Sequence, residues 1–485
     1  MSGDEKLQMT KKDMQRTQEI AENTIQRMKK LQIRLAQSLN RLDKQMDNAR
    51  DAVENAFTIE DEDSSDNNNH VNNNNNNISV NNNNKTSSSM NFTFVQTSLH
   101  SNSNNDKLHK KKLKTPSKLS IAMLIRNPPI ISTHTFIKYH LNLGFEKIYF
   151  FFDDIYNLGE DKEIMSILQT MYPENVFVYH CTSDWYVTFS FEDYEKYIYT
   201  DLVARQIVAV KQALKIANND GMNWLLHIDI DELFCFNDQQ IDNMKLINSN
   251  TVTTTTTKII NWFTNIPSHI DQVRFINYEA APENIELVTN DYFKEITLFK
   301  PNPSIIKKSI IRKHWPIEDR KFFFTAYSNG KSAVRCDMKK NVSLSGAHSF
   351  CFENHQLQDS EKILSVDAAD IDIINGTNQG ITNGSPIILH YPHCSYKLWL
   401  QKYKRLGNFP NLINGKDEIP TDSFHIKSRD IVAITQQKNE GNDFKNKTNV
   451  VDNDAKCFFS NTVIFLNKNE VDTLINAGLL VRLFV

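Results

Sequence analysis

The run Trp224-Leu225-Leu226-His227-Ile228-Asp229-Ile230-Asp231-Glu232-Leu233-Phe234 opens apolar and closes on three acids. In an extended strand residues i and i+2 share a face, so Asp229 and Asp231 point one way while Ile228 and Ile230 pack the other. Two neighbouring carboxylates suit a divalent cation, because Mg2+ and Mn2+ prefer oxygen ligands and often combine one or two carboxylates with substrate phosphates. The competing reading, a half-buried strand with a solvated acidic face, leaves charge beside apolar sequence, which is costly without partners. A second phosphate-related signal fails. Gly330-Lys331-Ser332 matches the end of a P-loop, but the earlier glycine it requires falls at Thr325, so a P-loop NTPase is excluded.

The elements that position these acids read as alternating strand and helix. Lys118 to Ile125 is a strand, Thr133 to Leu143 a helix ended by Gly144, Lys147 to Phe152 a strand, Lys162 to Met171 a helix and Asn175 to Tyr179 a strand. A longer helix, Tyr194 to Ala217, carries Leu202, Ile207, Val210, Leu214 and Ile216 at helical spacing and gives way to turn residues Asn218 to Gly221. Trp224 to Phe236 is then a further strand. Repeated β-α-β units predict an α/β fold with a mostly parallel sheet covered by helices on both faces, and ligands in such sheets bind beyond the carboxyl ends of the strands.

The other segments differ in kind. Positions 7, 14, 21, 28, 35, 42, 49 and 56 read Leu, Met, Ala, Met, Leu, Leu, Ala, Ala, a seven-residue recurrence that predicts a coiled-coil helix over residues 1–56 and a homodimer through residues 7–56. Residues 57–117 are rich in Asn and Ser and predict a disordered linker, since such composition cannot offset its conformational entropy by burial. The α/β domain then occupies 118–435, with a Thr-rich surface loop at 248–257. A polar loop at 436–454 and a segment at 455–485 packed on the domain complete the chain. With 55 Lys plus Arg against 58 Asp plus Glu, and no basic stripe, a nucleic-acid partner is not expected. The six cysteines are scattered without a C-x-x-C pair, which fits reduced thiols in a cytoplasmic protein. No apolar run reaches the roughly 18 residues of a membrane span, so neither a transmembrane segment nor a signal anchor is expected.

Ile121-Ala-Met-Leu-Ile-Arg126-Asn127, Phe136-Ile-Lys-Tyr-His140-Leu-Asn-Leu-Gly144-Phe145 and Ile148-Tyr-Phe-Phe-Phe-Asp153-Asp154, followed by the D-x-D-E run, resemble the opening of glycosyltransferase family 92 and related family 2-like proteins of GT-A fold. Asn329 to Arg335, Gly346-Ala347-His348 and Leu389-His390-Tyr391 with Lys397, Lys402, Tyr403 and Arg405-Leu-Gly407 continue it in the same order. The resemblance implies a transferase that moves a sugar from a UDP-sugar to a glycan or protein acceptor. It implies that Asp229 and Asp231 hold Mn2+ (or Mg2+) against the diphosphate, with Glu232 beside them and His348, or else His390, as a further ligand. It places Arg126, Asp153 and Asp154 beside the nucleoside and makes Lys331 and Arg335 diphosphate contacts. An inverting transfer needs a carboxylate base, and Glu279 is the candidate.

That stretch departs from the Trp-x-x-Phe-Gly pattern of animal family 92 members, and the membrane anchor usual there is replaced by the coiled coil and linker, so the expectation is a cytosolic target or a membrane reached through a partner. The alternative function is therefore a coiled-coil scaffold or interaction protein carrying an inactive transferase-like domain.

Overall fold

A computed structural model of the chain describes residues 115–484, leaving out 191–193, 237–248, 316–321, 338–341, 353–364, 369, 371–384, 410, 414–416, 421–422, 441–444 and 466. The chain divides into two units, Met1–Lys111 and Lys112–Val485, and every described residue belongs to the second. The coiled coil and most of the linker therefore lie outside the described residues.

The amino-terminal half alternates as its sequence predicts. Strand β1 (Leu119–Ile125) leads to α1 (Ile130–Leu143), β2 (Phe145–Asp154), α2 (Lys162–Met171), β3 (Val176–Thr182), α3 (Ser183–Phe189), α4 (Leu202–Asn219) and β4 (Trp224–His227). Helix α1 stops at Gly144 because that residue takes φ 100° and returns its N–H to His140 O and Leu141 O, a left-handed cap that glycine adopts without steric cost. Helix α4 starts where the Asp201 side chain accepts the N–H of Val203.

The chain continues through β5 (Glu232–Phe236), α5 (Ser249–Asn265), β6 (Gln272–Phe275), β7 (Asn277–Ala280), α6 (Tyr292–Glu295), β8 (Leu298–Lys300) and α7 (Lys308–His314). Then come β9 (Lys331–Arg335), β10 (Val342–Leu344), β11 (Phe350–Phe352), β12 (Ser365–Asp367), β13 (Pro386–His390) and α8 (Tyr396–Leu406). Last are β14 (Leu412–Ile413), β15 (Asp417–Glu418), α9 (Phe424–Glu440), α10 (Lys445–Val463), α11 (Lys468–Asn476) and β16 (Val481–Arg482).

A seven-stranded sheet has the order β12-β6-β9-β4-β1-β2-β3. It is parallel across β3, β2, β1 and β4 and turns antiparallel at β9, which pairs with both β4 and β6. A second sheet of five strands, β16-β8-β7-β13-β5, is mixed as well. The architecture is therefore α/β: the seven-stranded sheet is mostly parallel, with β9 alone running antiparallel between β4 and β6, and the five-stranded sheet is mixed.

Both faces of the parallel block are covered, which is why its strands read as unbroken apolar runs. Ile121, Met123, Ile125, Phe150 and Phe152 pack with Phe136 and Ile137 of α1 and Ile259 and Phe263 of α5. Ala122, Leu124, Tyr149 and Phe151 pack with Ile207, Val208 and Val210 of α4. Each such fully buried aromatic contributes roughly 1.5–3 kcal/mol by burial.

Two expected local features differ. The Thr-rich tract is not a loop: it enters α5, whose later residues Ile259 and Phe263 supply the burial that modest threonine propensity lacks. The 436–454 tract is largely helical, as the end of α9 and the start of α10, and Val432, Ala455 and Phe459 bury the pair against α8. Thr462 and Val463 finish α10, and Val481–Arg482 pairs with β8, so the 455–485 segment packs on the domain as expected.

Candidate active site

The acidic run does not remain one strand. The N–H of Asp229 donates to the buried Glu232 Oε2 at 2.7 Å, and the N–H of Glu232 returns to Asp229 O at 3.1 Å. Those reciprocal bonds close a turn over residues 228–231, so the chain leaves the seven-stranded sheet after His227 and enters the five-stranded sheet at Glu232. The same-face expectation for Asp229 and Asp231 gives way to a tight acidic corner at the carboxyl end of β4. Tyr391 N donates to Asp231 O at 2.8 Å, which ties the corner to the end of β13.

Lys331 reaches this corner from the first position of β9. Its side chain is fully buried, and its ammonium donates to Asp229 Oδ2 at 2.6 Å and Ala347 O at 3.2 Å, with Glu232 Oε2 at 3.7 Å. Gly330 makes that entry possible. It has φ +73°, and a Cβ there would stand 2.0 Å from Phe275 O, so the Gly330-Lys331 pair reflects close backbone approach rather than a phosphate loop. Gln206 Nε2 of α4 completes the shell by donating to the other Asp229 oxygen at 3.1 Å.

Burial alone raises the Asp229 carboxyl, but Lys331 against it, with His227 beyond, holds it well below the ordinary carboxylate range. Lys331 responds in kind, raised by Asp229 and Glu232 against the lowering effect of burial. Glu232, fully enclosed, is pushed well up by burial. Asp231 is raised by burial too, with Lys402 opposing. Among the described residues the side-chain partners of its Oδ2 are distant, Lys402 Nζ at 3.5 Å and His390 Nε2 at 3.9 Å, and about a quarter of its side chain, 24%, is exposed. The His390 ring stacks on Tyr327 at 4.6 Å, and Tyr327 tilts onto His348 at 4.2 Å. Burial lowers both histidines to about 3, so each is neutral near pH 7. A carbonyl only accepts, so His348 Nδ1, 2.9 Å from Gly330 O, carries the proton and Nε2 presents its lone pair.

The remaining predicted residues divide into two groups. Arg126, Asp153 and Asp154 stand at the same carboxyl edge, at the ends of β1 and β2. Asp153 receives Arg205 Nε at 3.0 Å and Tyr186 OH at 2.9 Å; Asp154 receives His180 Nε2 at 2.7 Å and the N–H groups of Leu158 and Gly159. Arg126 faces Glu160 at 3.6 Å. Arg335 is not at this edge. It lies at the far end of β9, roughly 13 Å of strand from Lys331, stacked 4.3 Å over Trp224 and donating to the carbonyls of Ile266, Pro267 and Ile270. Glu279 is fully buried, and its carboxylate accepts from Lys300 Nζ, Thr325 N and Oγ1 and Ala326 N. It holds the 325–326 backbone and leaves no oxygen for an acceptor hydroxyl.

Sequence reasoning missed Arg205, Gln206 and Tyr327. Adjacent residues of α4 reach Asp153 and Asp229, fixing the acids at the ends of β2 and β4 from a single helical turn. The signal was present as two polar residues interrupting the apolar stripe ahead of Ile207.

The Mn2+ site expected from Asp229, Asp231 and His348 is not assembled. Among the described residues no group of three or more His, Cys, Asp or Glu side chains is arranged to hold a metal ion. The Lys331 ammonium sits against Asp229, where the cation was expected, and Gln206 takes the other oxygen. The donor set therefore does not fit that metal.

No family profile matches the chain. It is similar to two Arabidopsis thaliana proteins described as glycosyltransferase-like. The first is 24% identical over 250 residues, 49% of this chain and 49% of its own length. The second is 27% identical over 150 residues, 30% of this chain and 26% of its own. The chain thus spans about half the length of one curated relative and about a quarter of the other. No helix among the described residues is long and apolar enough to cross a membrane. An α/β chain with an acidic corner at the carboxyl edge of its parallel strands, it is related at low identity to glycosyltransferase-like proteins.

Proposed function

We propose that this protein transfers a sugar from a nucleotide sugar, UDP-linked as first choice, to a hydroxyl of a glycan or protein acceptor. One observation carries the reading: the D-x-D corner closes the carboxyl end of β4, beside the ends of β1 and β2, where ligands of such sheets bind. The similarity to glycosyltransferase-like proteins supports it. In the transfer, the acceptor oxygen bonds to the anomeric carbon as the bond from that carbon to the phosphate oxygen breaks. The electron pair leaves with the diphosphate, and the hydroxyl proton passes to a carboxylate.

Asp231 is the carboxylate suited to take that proton. It is part-exposed at the edge and, among the described residues, its side-chain contacts are long, whereas Glu279, Asp153 and Asp154 are engaged by close donors. Asp229, locked by Lys331 and Gln206, orients the corner. Arg126 and the acids at the end of β2 border the nucleoside end.

The test is UDP release from UDP-sugars by the full chain and by Asp231→Asn. The expected loss is about 100-fold or more in kcat with the fold intact, the range general-base removal produces. Unchanged turnover in Asp231→Asn would remove this assignment, and no turnover of any nucleotide sugar by the natural chain would favour the scaffold.

A further inference from the structure

The two buried-edge aspartates are balanced by two lysines of opposite character. Lys331 is sealed, with a 2.6 Å bond to Asp229. Lys402 is 36% exposed and, among the described residues, makes only long contacts, 3.5 Å to Asp231 Oδ2 and 3.4 Å to Pro392 O. At such lengths little is lost when the ammonium turns away.

The helix beneath Lys402 is firmly held. Ser395 Oγ accepts the N–H of Leu398 to start α8, and Tyr396, Trp399 and Tyr403 form its buried face. Trp399 Nε1 donates to Ser428 Oγ at 3.1 Å, and Tyr403 OH bonds His425 at 3.0 Å. Lys402 and Arg405, three residues apart, share another face. Arg405 Nη1 donates to Arg126 O at 3.0 Å, so this face of α8 crosses the end of β1 while Lys402 meets the corner after β4. Three cationic groups, Arg126, Arg405 and Lys402, thereby border the edge where the proposed donor's diphosphate lies. Arg126 and Arg405 are partly balanced by Glu160 and Asp161.

We infer that Lys402 of α8, rather than a divalent cation, neutralises the donor diphosphate, exchanging its long contact with Asp231 for the phosphate oxygens. The inference rests on the nucleotide-sugar reading above. Both Asp229 oxygens already accept a bond, from Lys331 Nζ and Gln206 Nε2, so a cation there would compete with a buried ammonium, and an ammonium that leaves Asp231 for phosphate also uncovers the carboxylate proposed to take the acceptor's proton. The site then binds and discharges a nucleoside diphosphate with side-chain charge alone, as preorganised cations aimed at developing negative charge permit.

The experiment is calorimetric titration of the full chain with UDP and with inorganic pyrophosphate, each in EDTA, Mn2+ or Mg2+, for the natural chain, Lys402→Met and Lys402→Arg. Affinity for UDP is expected to agree within about twofold across the three conditions. Lys402→Met should weaken it on the order of 10- to 100-fold, as loss of a charge-assisted bond does, without rescue by Mn2+. Lys402→Arg should recover most of the loss, and equal melting temperatures would show that both variants fold. Binding that requires Mn2+ or Mg2+, or Lys402→Met binding UDP normally in EDTA, overturns the inference and leaves the nucleotide-sugar reading standing. Failure of both UDP and pyrophosphate to bind in every condition overturns the two together.

Discussion

Among the described residues two buried lysines pair with carboxylates, and their surroundings differ. Lys300 and Glu279 face each other across β7 and β8 with side chains 4% and 0% exposed, and Glu279 also accepts from Thr325 and Ala326. That pair is closed. Lys331 is equally buried, yet its partner Asp229 is 28% exposed. Beside it, Glu232 Oε1, His227 Nε2, Tyr327 OH and His390 Nδ1 have no hydrogen-bond partner among the described residues. Buried polar atoms are normally satisfied, so a cluster of unmet ones around a half-open ion pair marks a place that serves something beyond folding. A satisfied pair of the same chemistry marks architecture.

The sharpest break is expected at the closed pair. Glu279→Ala leaves Lys300 buried without its countercharge and should cost about 3–5 kcal/mol in denaturant unfolding. Asp229→Asn keeps the shape of the open pair and retains Glu232 near Lys331, so the loss should be smaller, about 1–3 kcal/mol. Its UDP affinity should nonetheless fall about tenfold or more by calorimetry, an effect the closed pair does not share while the fold survives.

Acid provides a third test. Burial lowers His140 and His390 to about 3 and His425 to about 4, below the ordinary 6.5. Below pH 6.5 the unfolded chain takes up protons that the folded chain refuses until its own lower values. Stability therefore falls as pH drops from about 6.5 to 4, by up to about 1.4 kcal/mol per pH unit for each histidine. Melting temperature should decline across that window and level off above pH 7. The smallest effect is expected at Arg335→Lys, which gives up the fork over Trp224 for about 1 kcal/mol and should leave UDP affinity unchanged.

The parallel half of the fold was legible because β1, β2 and α1 carry their own periodicity and the Gly144 stop. Asp229 and Asp231 were legible as a pair of acids ending an apolar run. The turn between them was not, since it depends on Glu232 bonding back to Asp229 N, and extended and turned backbones share the same local sequence. Lys331 stood out as the end of a failed P-loop and, through the resemblance, as a diphosphate contact; its place follows from an antiparallel pairing with β4 roughly 100 residues upstream, a long-range register that local patterning does not encode. Glu279 and Arg335 read as site residues for the same reason in reverse. Charged residues beside strands look alike in sequence, and only the pairing shows that Glu279 holds the 325–326 backbone and Arg335 caps the end of α5. The coiled-coil and linker readings lie outside the described residues.

The most direct measurement is hydrogen exchange of the full chain with and without saturating UDP. The account predicts slowed exchange at 126–127, 153–154, 227–232, 326–332 and 398–405, with none at 298–300. Protection confined to other segments, or uniform across both lysine pairs, would contradict it.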